Sequence, residues 1–398
     1  MRFHVLALPH TVTRKDYSAC AFTQKVLKFC KMMHNRGHTI FHYGHDKSDV
    51  LCTELIGITN DEILQKSYGN YDWRAQQFKH SNNDFAHTTF NFRAAEEVAK
   101  RKKPGDFLLL FWGQGHAHVA ACHPDMIVVE PGIGCFNKPL APYCVYESYA
   151  VMHTVYGKHN IMPKFFDAVV PNYFDYQDFI EEPTRETEQL KKIRQLPNGF
   201  VLVIARLIES KGIQIALEAC KMLGLRLIIV GQGNLKDCIN VEEHASFLTE
   251  DLDATCGLTH LGYVEPEERS LLLSKAHVLM CPTLYAEPFG GVNVEAQFAG
   301  VPVISTDWGA FAETVIHGTT GYRCRTMDHF VWALNNVKYL DRAKIKDIAN
   351  ANYGFAKVAS MYEEYFHMLT SIYFDKGFYS TNEHRLCLKW LEKKIGTL

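Results

Sequence analysis

Short apolar runs alternate with longer amphipathic segments along most of the chain. In the first half, the apolar runs predict strands at 5–8, 39–43, 107–111, 126–129, 144–148 and 168–170. Helices are predicted at 18–36, with Ser18 as cap and Gly37 as stop, and at 91–103, before Pro104. Strand, helix and strand in this order indicate a parallel sheet with helices on its faces. Residues 46–90 lack this alternation and are interpreted as irregular segments with short helices.

The same alternation starts again after a polar, charged segment at 176–198. Strands are predicted at 200–205, 225–230, 258–261, 278–281 and 302–305, and the helices between them include 213–223 and 266–276. Helical periodicity then covers 330–336, 342–373 and 382–394. We therefore predict an α/β protein with two doubly wound domains, at 1–175 and 199–375, and a linker at 176–198. In such folds ligands bind at the carboxyl ends of the strands.

One stretch combines a strand end, a glycine turn and two acids. Residues 285–296 have the sequence YAEPFGGVNVEA, after the predicted strand 278–281 and at the start of a helical pattern. Unpaired N–H groups at a helix start, together with the helix dipole, bind anions, and glycines let a phosphate approach the backbone. Glu287 and Glu295 flank this turn, where carboxylates suit hydroxyl groups better than phosphates. The pattern predicts a ligand of the form sugar–diphosphate–ribose.

Two cationic side chains follow the strand predicted at 200–205. Transfer of a sugar from a diphosphate leaves negative charge on the leaving phosphate, so catalysis needs cations or oriented dipoles there. Arg206 can bind a phosphate through two N–H groups, and Lys211 supplies a point charge. Together with the Gly290 and Gly291 amides they can replace a metal ion, so we expect none.

These motifs resemble those of a known family. Glu287-x7-Glu295 with its glycines and prolines is similar to the signature of retaining glycosyltransferases of family 4, the glycosyl transferases group 1. Arg206-x4-Lys211-Gly212 resembles the family's R-x4-K-G motif, and Pro171-Asn172-x-x-Asp175 its segment at the domain junction. The resemblance implies the GT-B fold, with two Rossmann-like domains facing across a cleft. It also implies a C-terminal helix, here 376–398, that returns to the N-terminal domain.

The resemblance also implies roles for single residues. Glu287 is expected to face the transferred sugar, Glu295 to hold the ribose hydroxyls, and Arg206 and Lys211 to hold the diphosphate. Further donor contacts are expected from Pro288, Phe289, Gly290, Gly291 and Val292, and contacts to the base from the strand-end loops at Gly231, Gly262 and Tyr263. The matching positions do not distinguish a uridine donor from a guanosine or adenosine donor.

The first half is expected to bind the acceptor. The family's Gly-Gly in the first loop is absent, and the residues at 9–17 include His10 and Arg14, which are candidates for contact with an anionic acceptor. His116 and His118 follow a buried strand and are candidate catalytic residues, and Glu130 follows the next strand as a further acceptor candidate. For each, an ordinary structural role in a strand-end loop is the alternative.

Composition limits the partners and the compartment. A length of 398 residues suits two domains, and a net charge of −2 gives no basis for binding nucleic acid. At most a peripheral membrane contact is expected, through the basic residues at 100–103. Twelve cysteines without a C-x-x-C pair indicate reduced thiols, and the first apolar run is too short for a signal peptide, so a cytoplasmic protein is expected. Asp251-x-Asp253 lies in a polar loop and is interpreted as solvated acids, and no cofactor is expected.

The leading hypothesis is a metal-independent, retaining glycosyltransferase. It would move a sugar from a nucleotide sugar to a glycan, lipid-linked saccharide or other hydroxyl acceptor, with the leaving phosphate assisting deprotonation of the acceptor. The alternatives keep the fold and change the chemistry: a sugar-nucleotide-binding protein without transfer activity, an epimerase, or a phosphorylase. An epimerase lacks an obvious acid–base set in this sequence, and a phosphorylase lacks a motif for a pyridoxal-phosphate lysine.

Overall fold

The computed structural model describes residues 1–74, 76, 78–179, 183 and 186–374. It divides into two compact units. Among the described residues, the first unit contains those within 1–70, 78–173 and 355–374, and the second unit contains those within 71–76 and 174–354.

The first unit is built on a parallel sheet of seven strands. The strands are β1 Arg2–Leu6, β2 Thr39–His45, β3 Glu54–Thr59, β4 Phe107–Leu110, β5 Ile127–Ile133, β6 Tyr143–Tyr146 and β7 Ala168–Val169, in the order β3-β2-β1-β4-β5-β6-β7. The helices are α1 Ala21–Asn35, α2 Asp61–Tyr68, α3 Phe85–Arg101, α4 Ala117–Cys122 and α5 Tyr149–His159. The doubly wound sheet predicted for this half is confirmed.

Both faces of this sheet are buried, which explains its continuous apolar strands. Along β4, Phe107 and Leu109 belong to the core on one face, and Leu108 and Leu110 belong to the core on the other. Successive side chains of a strand point to opposite faces, so a strand buried on both sides is apolar at every position.

The interpretation of 46–90 as irregular was wrong in two places. β3 lies within it as an edge strand, and its half-exposed pattern gives only a short apolar signal. α3 begins at Phe85, earlier than the predicted start at 91, because the Asp84 carboxylate accepts a hydrogen bond from the His87 N–H and caps the helix there.

The second unit has a parallel sheet of six strands. They are β8 Val201–Ile204, β9 Arg226–Val230, β10 Gly257–His260, β11 Val278–Cys281, β12 Val303–Thr306 and β13 Gly321–Cys324, in the order β10-β9-β8-β11-β12-β13. The helices are α6 Glu188–Gln195, α7 Ile213–Leu223, α8 Pro266–Lys275, α9 Gly291–Phe298, α10 Phe311–Thr314, α11 Met327–Asn336 and α12 Arg342–Tyr353. β13 was not predicted, but the other strands are where the apolar runs placed them.

The segment at 176–198 is not simply a linker. It contains α6, whose Leu190 and Ile193 are buried, and Ile193 belongs to the core of the second unit. The segment looked polar because the other faces of this short helix carry charged side chains.

The long helix predicted at 342–373 is two helices. α12 ends at Tyr353, Gly354 adopts an extended conformation, and α13 covers Phe355–Phe374. α13 belongs to the first unit, so the predicted second domain, 199–375, extends too far. Phe366 of α13 packs against Phe3 of β1 and Phe107 of β4, with ring centroids 4.7 and 4.9 Å apart. The predicted helices at 376–398 and 382–394 lie outside the described residues.

Candidate functional site

Two loops at adjacent strand ends of the second unit are joined through their backbones. The contact is between main-chain groups. The N–H of Leu284, in the loop after β11, donates to the carbonyl of Ser210, in the loop after β8, at 2.9 Å. Gly212 has φ +67° and packs so closely that a Cβ there would lie 2.0 Å from the Pro282 carbonyl oxygen. Only glycine fits this position, and the fit fixes Lys211 beside the loop after β11.

Lys211 and Glu287 form an ion pair between these loops. The Nζ and Oε2 atoms are 2.7 Å apart, and the two side chains are 17% and 14% exposed. The Lys211 ammonium also lies 4.8 Å from the centre of the Tyr285 ring. Burial acts to lower the pKa of Lys211, but the Glu287 carboxylate, with a smaller contribution from Tyr285, outweighs it and raises the pKa above its usual value. Lys211 is therefore a fixed positive charge at the strand ends.

Arg206 is exposed in the residues that follow β8. Within the described part of the chain its guanidinium makes no hydrogen bond or ion pair. The structure thus brings Lys211 and Glu287 together. It places Arg206 in the same loop as Lys211, without a hydrogen bond or ion pair to either. Its role stays a prediction.

The glycine turn after Glu287 begins α9. Gly290 is the N-cap residue with φ +76°, and no side chain caps the first turn. Behind the turn, buried amides hold the helix: Asn293 donates to the Thr314 hydroxyl at 3.0 Å, and Gln297 donates to the Asn293 side-chain oxygen at 2.9 Å. An uncapped helix start on a rigid support is suited to an anion. Pro288 and Val292 are half-buried beside it, and Phe289 is buried.

Glu295 lies one turn into α9 and faces a cation. Arg269 of α8 places its Nε 3.1 Å from Glu295 Oε2, and the side chains are 20% and 13% exposed. The geometry at Oε2 is that of an ion pair without a hydrogen bond. Arg269 was not singled out from the sequence, since nothing in its helix distinguishes it from a surface arginine.

The loops after β9 and β10 lie side by side with the loop after β8. The Gly231 N–H donates to the Gly262 carbonyl at 2.9 Å, and the Leu207 N–H donates to the Gln232 carbonyl at 2.8 Å. Gly231 has φ +146°, and a Cβ there would lie 1.7 Å from the Ala205 carbonyl oxygen. The predicted base-side residues Gly231, Gly262 and Tyr263 are thus connected to the strand end that carries Arg206 and Lys211.

A segment distant in sequence packs on these loops. The Gln232 side-chain amide donates to the Trp73 carbonyl, and the Trp73 ring lies edge-on to Tyr263 with centroids 6.0 Å apart. Arg74 pairs with Glu265 at 2.9 Å. This contact could not be predicted from the sequence, because residues 46–90 contain no motif and their packing depends on the tertiary fold.

Part of the chain is similar in sequence to known proteins. Residues 185–351 match the model of the family described as glycosyl transferases group 1. This match covers less than half of the chain. The chain is 29% identical over 148 residues to an uncharacterized glycosyltransferase of Methanocaldococcus jannaschii, covering 35% of each chain. It is 32% identical over 133 residues to a glycogen synthase of Mycobacterium tuberculosis, covering 32% of this chain and 30% of the relative. The chain thus spans about a third of the length of these relatives.

The fold of the whole chain is shared with solved structures. An Anabaena protein, HepE, solved in complex with UDP-glucose, has a TM-score of 0.63 at 14% identity, covering 93% of this chain and 100% of that one. The chain has the GT-B fold, with two Rossmann-like domains, as the motifs implied. The matched residues, 185–351, include the four expected to carry the chemistry: Arg206, Lys211, Glu287 and Glu295.

The histidines predicted as site residues in the first unit are mostly buried. His116 is fully buried, and its Nε2 donates to the Ala7 carbonyl at 3.0 Å. Burial lowers the pKa of His116 to about 3, so this ring is neutral, and its environment is that of the structural alternative and not of the catalytic candidate. His118 is exposed on α4, with its ring 4.5 Å from that of Phe92. His118 stays a candidate on exposure alone.

The predicted acceptor candidates differ in exposure. His10 is buried, stacked on His87 and against Trp112, so the prediction of an exposed contact with an anionic acceptor was wrong for this residue. Arg14 is half-buried and pairs with Asp16 at 2.8 Å. Glu130 is buried within β5, where its Oε2 accepts from the Leu140 N–H at 2.8 Å, and burial raises its pKa to about 6.

The first unit contains a buried ion pair that the sequence did not reveal. Lys25 of α1 pairs with Glu147, which follows β6, and Lys25 Nζ donates to the Gly132 carbonyl at 2.9 Å. Asn172 donates to Glu147 Oε2 at 2.8 Å. The only sequence signal was Asn172 itself, in the segment that resembles the family's domain junction. This cluster connects the carboxyl ends of β5 and β6 with the end of the first unit.

Neither a metal cluster nor a spanning helix occurs in the described ranges. No group of three or more histidines, cysteines or acids is placed to hold a metal ion there. Asp251 and Asp253 are both exposed, as predicted. No helix among those ranges is long and apolar enough to cross a membrane. Whether the reaction needs a metal stays a prediction.

Proposed function

We propose that this protein is a retaining glycosyltransferase. It transfers a sugar from a nucleoside-diphosphate sugar to a hydroxyl group of a glycan, a lipid-linked saccharide or another glycoconjugate, without a metal ion. The observation that carries the proposal is the Lys211–Glu287 ion pair, at 2.7 Å, in the loop that leads directly into the uncapped glycine start of α9. It joins a cation for the diphosphate and a carboxylate for the sugar in one place.

The charges fit the reaction. The acceptor oxygen forms a bond to the anomeric carbon, the bond from that carbon to the diphosphate breaks, and the acceptor proton passes to the leaving phosphate on the same face of the sugar. Lys211, Arg206 and the N–H groups at the start of α9 offset the charge that develops on the diphosphate. Glu287 accepts hydrogen bonds from hydroxyl groups of the transferred sugar, and Glu295, beside Arg269, accepts them from the ribose.

The relatives support this assignment. They are named as a glycosyltransferase and a glycogen synthase, and the Anabaena structure was solved with UDP-glucose. We propose that the first unit supplies the acceptor side, with the half-buried Arg14 and the exposed His118 as its candidates.

The test is binding followed by turnover. Calorimetry with UDP, GDP and ADP identifies the base, and the matching nucleotide sugars then identify the donor. Slow release of nucleoside diphosphate from the donor, accelerated by a saccharide acceptor, is the expected result. Binding of a nucleotide sugar without any release, across a panel of acceptors, would support a binding protein in place of a transferase.

A further inference from the structure

The segment at Trp73 and Arg74 contacts both the loop after β9 and the loop after β10. In sequence it lies between α2 and α3, which belong to the first unit, yet it contacts Gln232, Tyr263 and Glu265 of the second unit. All three partners lie in the loops after β9 and β10. A hydrogen bond from the Gln232 side chain to the Trp73 carbonyl, an aromatic contact and an ion pair together hold the segment against these loops.

These loops are where the base end of a nucleotide would lie. Lys211 and Glu287 mark the diphosphate at the ends of β8 and β11, and β9 and β10 follow β8 on one side of the sheet. Adjacent strands are about 4.8 Å apart, so the end of β10 is about 10 Å from the end of β8. That distance is comparable to the length of a nucleoside. The Arg269–Glu295 pair, from the helix that follows the β10 loop, gives the ribose position between the two ends.

We propose that Trp73 is a nucleobase-binding residue of the donor site, and that with Tyr263 it forms an aromatic surface against which the nucleobase packs. This inference rests on the proposed function. Trp73 is half-buried, and the Arg74 guanidinium lies 4.2 Å from the centre of its ring, so the indole is oriented before any ligand binds. The charge of Arg74 is matched by Glu265, which leaves the aromatic pair as the main recognition element.

The chemistry of this surface predicts what it recognises. Base–aromatic contacts stabilise any base by its flat face, and they contribute nothing to a ligand that has no base. Trp73 should therefore affect nucleoside diphosphates and leave inorganic pyrophosphate unaffected. Gln232, which donates to the Trp73 carbonyl, is a positioning residue in this arrangement.

The test is calorimetry of the full chain and its Trp73→Ala variant with UDP, GDP, ADP and inorganic pyrophosphate. For the nucleotide that the unaltered protein binds best, Kd should rise about tenfold or more, as expected for loss of one base–aromatic contact. Kd for pyrophosphate should stay within about twofold, which also shows that the variant is folded. Trp73→Phe should retain most of the affinity. Trp332→Ala, at an exposed tryptophan on α11, is the matched control and should bind like the unaltered protein.

The other possible results contradict either the role of Trp73 or the proposed function, and the two cases can be distinguished. Unchanged nucleotide binding by Trp73→Ala, or an equal loss for nucleotide and pyrophosphate, contradicts the role of Trp73 and leaves the proposed function standing. Failure of the unaltered protein to bind any of the three nucleotides contradicts the proposed function itself. In the double variant Trp73→Ala/Gln232→Ala, Kd should match that of Trp73→Ala alone. Additive losses would show that Gln232 acts independently of Trp73, contrary to its role as a positioning residue.

Discussion

Lys211 and Glu287 form a half-buried ion pair with 2.7 Å between Nζ and Oε2, although 76 positions separate them in the chain. The pair exists because β8 and β11 are neighbours in the sheet and the loops that follow them share the Ser210–Leu284 hydrogen bond. A lysine held this way keeps its charge and its position. Both properties are required of a group that binds a diphosphate.

The Lys211→Met variant should lose most of its affinity for the donor. The substitution removes the cation and leaves the Glu287 carboxylate unpaired beside the phosphates, where the two negative charges repel. A charge-assisted hydrogen bond contributes about 1.5–3 kcal/mol, so Kd for the nucleoside diphosphate should rise about 10- to 100-fold. Calorimetry measures this effect, with Lys221→Met on α7 as control. Equal affinities for Lys211→Met and the unaltered protein would exclude Lys211 from the donor site.

The Glu287→Gln variant should separate binding from turnover. Glutamine keeps the size of the side chain and can still accept a hydrogen bond from a hydroxyl, so Kd for the nucleoside diphosphate should change by no more than a few-fold. The transferred sugar loses a charged partner, and we expect turnover of the nucleotide sugar to fall about 100-fold, since charged hydrogen-bond partners contribute on the order of 3 kcal/mol. Rates measured at saturating donor check this. Unchanged turnover would remove Glu287 from the mechanism.

The Gly212→Ala variant should destabilise the second unit and weaken donor binding together. Alanine at φ +67° costs about 1–2 kcal/mol in backbone strain, and its Cβ would also meet the Pro282 carbonyl at 2.0 Å. The loop must then move, and Lys211 moves with it. Gly224→Ala is the matched control, because Gly224 has φ +61° with nothing within 4 Å of the added Cβ. Urea unfolding and nucleotide Kd should show a larger loss for Gly212→Ala in both measurements. Similar losses for the two variants would contradict the close packing of Gly212 on Pro282.

The Glu130→Gln variant should stabilise the first unit at neutral pH. Burial raises the pKa of Glu130 from 4.5 to about 6, so the folded state binds this proton more tightly than the unfolded state. The stability that Glu130 contributes is complete below about pH 4.5 and is lost as the pH rises through 6, a loss of about 2 kcal/mol. Glutamine stays neutral at every pH, so the variant avoids this loss of stability.

The difference in unfolding free energy between Glu130→Gln and the unaltered protein should thus grow from pH 4.5 to pH 7. Urea unfolding across this range measures it, and Glu62→Gln, at an exposed position on α2, is the control. A difference that does not depend on pH would show that Glu130 is not buried as a carboxylic acid.

Local sequence patterns predicted those helices and strands whose formation depends on residues close together in the sequence. The continuous apolar run of β4 indicated a strand buried on both faces, and the strand–glycine–helix pattern around Gly290 indicated the start of α9. Both are confirmed. β3, at the edge of its sheet, was missed because it is half exposed and has a short apolar signal. β13 is mostly buried, but its four residues, GYRC, include a glycine and an arginine and give no apolar run.

The sequence by itself determined the two doubly wound sheets and the motifs that contain Lys211, Glu287 and Glu295, since strand periodicity, glycine turns and fixed motif spacing are properties of short segments. Only the tertiary structure decided that Lys211 reaches Glu287, that His116 is buried and neutral, and that Trp73 packs on Tyr263. These contacts join positions far apart in the chain. They follow from strand order and from burial on both faces of a sheet, which no short segment encodes.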